Sequence, residues 1–422
     1  MTRRIASWIS VWLVVLGTAG TAAAGPLDVH GFGSRGISMG GAQVAEANSA
    51  SALFDNVGAL SWVDPRATVG TLVTVNQTSI LLHDRPGGFQ IPDLGGDSPA
   101  APTGTAPNAR SDTTNVPGFR GIAVGGVTSF GSERLRAGFL MNIPYKGFVD
   151  LQTHFADERE RISSNRLHYE LTGHSLQRID VGVGVSYRPV PWWSIGVGGM
   201  FVPGAAASTD VFVEDLGDQS DVDINADINT TNNWGLLVGT VFEIPAGFRF
   251  GLAYRGEMYF RIQGENRVRL GTTNPAEQTI IQTFDWTPTY SPETLSTGLR
   301  WQSSSEKIEL QAAAEFKRWS RYIGKQSEPT DFNDTLSPRL GFEYGFNDAT
   351  DMRAGAGWEP TPVPPQTGRT NYVDNHRLIF GLGAGHRFDL WGTPVGVEWS
   401  LQLQSLLNRE VDKKIGDDPP DC

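Results

Sequence analysis

Residues 395–404 read Val-Gly-Val-Glu-Trp-Ser-Leu-Gln-Leu-Gln, alternating apolar and polar or small without a fault. Successive side chains of a strand point to opposite faces, so Val395, Val397, Trp399, Leu401 and Leu403 share one face, and Glu398, Ser400, Gln402 and Gln404 the other. The alternation recurs. Ile179, Val181, Val183, Val185 and Tyr187 interleave with Asp180, Gly182, Gly184 and Ser186; Ile308, Leu310, Ala312, Ala314 and Phe316 interleave with Glu309, Gln311, Ala313, Glu315 and Lys317. No helical period competes. The pattern predicts strands near 66–82, 119–130, 134–144, 174–188, 192–203, 232–244, 247–262, 280–301, 306–320, 332–346, 350–358, 374–388 and 393–405.

The connections between these strands alternate in length. Long segments at 83–118, 145–173, 204–231, 263–279, 321–331 and 359–373 take turns with short ones such as Gly131–Arg134, Arg188–Pro191, Pro245–Gly247 and Asp389–Pro394. Long and short loops therefore collect on opposite rims, as in an outer-membrane barrel with an apolar outer band and a polar lumen. Closed barrels suit a bilayer because lipid cannot satisfy a free strand edge. Trp192, Trp193, Trp319, Tyr322, Trp358 and Trp391 fall near strand ends, where a membrane interface accepts amphipathic rings. The expected fold class is all-β, an antiparallel transmembrane β-barrel. The competing reading, a soluble secreted β-sandwich adhesin, also alternates but predicts no rim asymmetry.

Composition supports the barrel. Only 39% of the 422 residues are hydrophobic while 50 are glycine, too little apolar mass for a large dry core. A formal charge of −12, with no basic stripe, argues against nucleic acid as a partner. Residues 1–24 carry Arg3 and Arg4, an apolar run from Trp8 to Leu16 and a small-residue end at Ala22–Ala24. That layout is a cleaved secretory signal, and the apolar run falls short of the roughly 20 residues a helical span needs. The lone Cys422 excludes an internal disulfide framework.

Ahead of the first strand, residues 25–65 are rich in small residues and nearly uncharged, fit to fold inside the lumen as a plug. Here Arg35-Gly36-Ile-Ser-Met39-Gly40-Gly41-Ala42 resembles the hatch signature of the FadL-type outer-membrane transporters of long-chain fatty acids and other hydrophobic compounds. Asn56-Val-Gly-Ala-Leu60 stands where that family has Asn-Pro-Ala, with Val57 in place of the proline. Asn142-Ile-Pro-Tyr-Lys-Gly147, Ser291-Pro-Glu-Thr-Leu295, Glu315-Phe-Lys-Arg-Trp-Ser320, Asp351-Met-Arg-Ala-Gly355, Pro362-Val-Pro364, Asp374-Asn-His-Arg377 and Phe380-Gly-Leu-Gly383 continue the resemblance in order to about residue 405. The family has fourteen strands and thirteen are legible here. The pattern makes 395–404 the penultimate strand and carries the polar tail 408–422, with two prolines, to the outer side; the closing strand is missing, truncated away or miscounted upstream, and the absence of a terminal aromatic favours its loss.

The resemblance implies a monomeric barrel (66–407) of the bacterial outer membrane. It would pass hydrophobic small molecules through a lumenal pocket and out by a lateral gap near the third strand once the hatch shifts. Phe32, Met39, Leu53 and Phe54 of the hatch, with Phe139 and Met141 of the third strand, are the candidate pocket lining, and Lys317 and Arg353 the candidate partners for a carboxylate head. Aromatic-hydrocarbon uptake and a general diffusion porin are the alternatives on the same scaffold. Outer-membrane lipid and lipopolysaccharide would surround it. The acidic stretch Asp210–Asp227 offers carboxylates for a hard cation such as Ca²⁺ but lacks the EF-hand pattern, and a solvated loop is favoured. No Gly-x-Ser-x-Gly, His-Glu-x-x-His or Walker loop occurs, so no catalysis, cofactor or metal site is expected.

Overall fold

A computed structural model describes residues 26–82, 110–114, 119–145, 178–204, 206–213, 222–270, 279–322, 330–365, 372 and 374–411. The signal segment, Lys146, Gly147, the centre of the acidic stretch (214–221) and the tail beyond 411 lie outside them. Thirteen strands form one antiparallel sheet in chain order. They are β1 (Arg66–Val73), β2 (Arg120–Thr128), β3 (Leu135–Pro144), β4 (Asp180–Val190), β5 (Trp193–Val202), β6 (Asn233–Ile244), β7 (Phe248–Arg255), β8 (Glu293–Gln302), β9 (Ile308–Arg318), β10 (Thr335–Asn347), β11 (Thr350–Glu359), β12 (Arg377–Leu390) and β13 (Thr393–Leu406). Each pairs with its neighbours in sequence, and β1 and β13 are the two edges. No described helix is long and apolar enough to cross a membrane.

The short turns follow from local chemistry. Phe130-Gly131, Ala246-Gly247 and Trp391-Gly392 each hold two consecutive residues at positive φ, which glycine supplies without strain, and Trp391-Gly392 is the two-residue loop joining Leu390 to Thr393. The alternation is inverted relative to a soluble protein. On β9, Leu310 and Phe316 are exposed on the outside while Glu309, Gln311 and Lys317 are buried within; on β13, Trp399, Leu401 and Leu403 are more than half exposed. An apolar outer face and a polar inner face suit lipid outside and a filled lumen inside.

Three long strand expectations divide: segment 66–82 breaks after Val73, and its outer part Thr78–Leu82 pairs with Arg110–Thr114 in a small two-stranded sheet. Segment 247–262 breaks at Gly256-Glu257 and segment 280–301 at Pro292, which cannot donate to a ladder. The outer parts, Met258–Leu270 and Thr279–Ser291, join Ala206–Val213 and Val222–Thr230 in a separate four-stranded sheet, which takes in the segments 204–231 and 263–279 expected as long loops. Most of the acidic stretch is thereby a hairpin rather than a loop. Trp319 and Tyr322 also depart from an interfacial belt: they are buried with Phe332, Val363 and Tyr372, Tyr290 packing alongside. Trp192, Trp358 and Trp391 are exposed.

Inside the sheet lies the N-terminal segment, as three short helices, α1 (Pro26–His30), α2 (Ser34–Ser38) and α3 (Ala52–Asp55), and a 3₁₀ turn Val57–Trp62. Its Leu27, Phe32, Leu53, Val57, Leu60 and Val63 form the main apolar cluster with Leu140, Met200, Leu237 and Val241 of the wall. Gly40 and Gly41, both at positive φ, reverse the chain where a Cβ on Gly40 would stand 2.9 Å from the Ala356 nitrogen.

Candidate functional site: the hatch seam

Wall glycines let the hatch come close. A Cβ at Gly251 of β7 would lie 2.2 Å from the Val44 oxygen, one at Gly355 of β11 2.1 Å from the Met39 carbonyl carbon, and one at Gly196 of β5 2.5 Å from the Val57 oxygen. Backbone thus rests on backbone around much of the lumen. Polar groups finish the seam. Asn56 caps the 3₁₀ turn by accepting from the Gly58 N–H at 2.9 Å, and its amide donates to the Val44 carbonyl (2.7 Å) and to the Thr240 carbonyl of β6 (3.0 Å). Ser186 and Ser194 donate to the Gly58 carbonyl, and Gln404 of β13 donates to that of Val29 at 2.7 Å.

Ion pairs hold the hatch at two levels. On the short-turn half, buried Arg35 pairs with Glu309 of β9 and with Glu343 of β10 (2.8 Å) and donates to Gln43 at 3.1 Å. Burial opposes its charge, but Glu309 and Glu343 outweigh that and hold the guanidinium above its ordinary pKa. On the long-loop half, Asp28 of α1 accepts from Arg255 of β7 at 2.8 Å and lies 3.8 Å from Arg178, which also donates to Asp180 at 2.6 Å.

The candidate residues separate into groups. Phe32 and Leu53 meet in the apolar cluster, and Phe54 packs against it with the Arg255 guanidinium 4.0 Å above its ring. Met39 is buried elsewhere, against Gly341 and Gly355. Phe139 and Met141 must be corrected: Leu140 and Asn142 point into the lumen and are buried, so period two turns Phe139 and Met141 outward. Apolar residues at both parities in Phe139-Leu-Met141 left the pattern unable to choose a face. β3 also pairs without a register shift to β4 over Leu135–Asn142 and to β2 over Ala137–Pro144, so no gap interrupts the wall there. Lys317 is buried and paired with Glu359 and Glu315, and Arg353 is buried and paired with Glu343, Asp351 and Glu398. Of the hatch motif, Gly36 packs where a Cβ would meet the Gln43 amide nitrogen at 2.7 Å, and Gly41 where one would lie 3.1 Å from the Arg339 side chain.

Sequence reasoning missed Asp28, Asp55, Arg178 and Arg255. Asp55 lines a narrow cleft with Leu53, Phe54, Val57, Leu237 and Tyr254. Its Oδ2 has no hydrogen-bond partner among the described residues. Burial first, then Glu315, push its carboxyl up to about 7, against Arg255 and Ser51. His30 of α1 is pushed down to about 4 by burial and then by Arg377.

The chain matches the family of outer membrane protein transport proteins (OMPP1/FadL/TodX) over residues 13–398. It belongs to that family. It is accordingly an outer-membrane protein of a family of hydrophobic-compound transport channels, not of enzymes. It is 25% identical over 183 residues to alkane uptake protein A of Marinobacter nauticus, a match covering 39% of each chain, well under half the length of that relative. The fold is shared with a Pseudomonas aeruginosa FadL homologue (TM-score 0.59, 15% identity, 92% of this chain and 91% of that one). It is also shared with the P. putida toluene transporter TodX (TM-score 0.51, 13% identity, 90% and 100%).

Proposed function

We propose that this chain carries long-chain hydrophobic molecules, fatty acids or hydrocarbons, passively across the outer membrane, with residues 25–65 as the gate. The observation that carries the reading is the seam itself: a hatch packed backbone to backbone on wall glycines, yet secured by discrete ion pairs that can exchange partners. Burial of an acyl or alkyl chain is worth about 0.8 kcal/mol per methylene. A long chain therefore binds readily, and its release needs the hatch to move. Phe32, Leu53 and Phe54 are the proposed ligand contacts, with Met39 at a second point on the hatch. Residues 1–24 are the proposed export signal, 408–422 a polar tail on the outer side, and lipid with lipopolysaccharide the surroundings of a monomer. Alkane uptake protein A, by its name, handles alkanes, which supports an aliphatic substrate. The test is uptake of labelled long-chain substrate and of labelled toluene by cells expressing the chain or a hatch-blocked variant. Faster entry with the unblocked chain is expected, and equal entry would refute gating.

A further inference from the structure

We infer that the lumenal pathway favours uncharged hydrophobic molecules over carboxylate-bearing ones of equal chain length. The inference rests on the transport reading and narrows its substrate class. Its basis is the state of the lumenal cations. Arg35, Arg178, Arg255, Arg300, Lys317, Arg339, Arg353 and Arg377 are the buried cationic side chains among the described residues. Every one already has a carboxylate of the protein at ion-pair distance. Arg339 reaches Glu315 at 3.0 Å and Glu359 at 3.5 Å, and Arg300 reaches Glu309 at 3.1 Å.

Carboxylates, by contrast, are in surplus. Asp55 and Asp374 make no ion pair among the described residues, and Asp55 Oδ2 and both Asp374 oxygens lack a hydrogen-bond partner there. A ligand carboxylate would have to expel a protein carboxylate from a buried cation or lie beside an uncompensated one. Breaking a buried pair strands a charge and is strongly unfavourable. Beside the Asp55 cleft the ligand faces Glu315 of β9 and Arg255 of β7, and the arginine is already engaged by Asp28. Burial and then Glu315, which push Asp55 up to about 7, also disfavour a second carboxylate docked beside it. A hydrocarbon chain meets no such penalty. Arg136, near the short-turn rim, donates among the described residues to the carbonyls of Val63, Ser132 and Leu135 and lies outside this belt.

The test compares initial uptake of labelled hexadecane and labelled palmitate at pH 7.4 by cells expressing the full chain, each rate relative to cells with empty vector. Hexadecane should be accelerated about tenfold more than palmitate, the discrimination that one pKa unit of differential interaction corresponds to. Asp55→Asn should bring the two accelerations closer together, its assembly checked by heat-modifiable mobility. Palmitate accelerated as much as hexadecane, or a ratio untouched by Asp55→Asn in assembled protein, overturns the inference. Acceleration of neither probe overturns the transport reading beneath it.

Discussion

Gly251→Ala asks whether the hatch truly rests on the wall. The added Cβ would sit 2.2 Å from the Val44 oxygen, 2.8 Å from the Val44 carbonyl carbon and 2.9 Å from the Ala45 Cα, all backbone atoms that cannot rotate away. Ordinary contact begins at 3.4 Å, so hatch residues 44–45 must retreat by about 1 Å, a distance that also stretches the Asn56 amide bond to the Val44 carbonyl. Overpacking of this kind costs about 1–3 kcal/mol. Spent against the seated hatch, that raises the population of unseated hatch about 5- to 150-fold. Hydrogen exchange of hatch peptides spanning 36–63 in the detergent-solubilised chain reads this directly. Gly70→Ala is the control, because nothing stands within 4 Å of a Cβ on Gly70. Faster hatch exchange in Gly251→Ala and unchanged exchange in Gly70→Ala is the expected pair of results. Equal exchange in both would refute the seam as described.

Arg35→Met leaves Glu309 and Glu343 without their hatch cation and should cost about 3–5 kcal/mol of hatch stability, seen as lost protection of residues 33–46. The pH dependence of hatch protection has a worked sign. Asp55, raised from 3.8 to about 7, costs stability as pH rises through that window, whereas His30, lowered from 6.5 to about 4, costs stability as pH falls through its own. Each contributes about 1.4 kcal/mol per pH unit with opposite slope between about pH 4 and 6.5, so the native hatch should be nearly flat there. Asp55→Asn should make protection rise with pH over that range, and a flat profile in the variant would refute the assignment.

The barrel was legible because its grammar is local. Alternation on β9 and β13 sets the face of every residue, and Phe130-Gly131 or Ala246-Gly247 marks a turn by backbone conformation alone. The outer sheet was legible only in part: 280–291 alternated as a strand, but Val222–Thr230 contains four Asp and Asn residues that read as loop and becomes strand only through its partners. The ion pairs were hidden by distance along the chain: Arg35 meets its partners 274 and 308 positions away. Glu309 and Glu315 stood on the polar face of a strand with nothing to name the hatch and wall cations they meet. Asp55 gave no signal, because its surroundings arise only when α3 docks against β7 and β9.

The claim that hatch movement opens the path can be tested by holding the hatch in place. An ideal Cβ on Gly298 of β8 lies 2.8 Å from the Val44 Cβ, within about 1 Å of disulfide spacing. The measurement is hexadecane uptake by Val44→Cys/Gly298→Cys in a Cys422→Ser background, oxidised and then reduced. Uptake should fall to the empty-vector rate when the tether forms and return when it is cut; undiminished uptake with the disulfide intact would contradict a moving hatch.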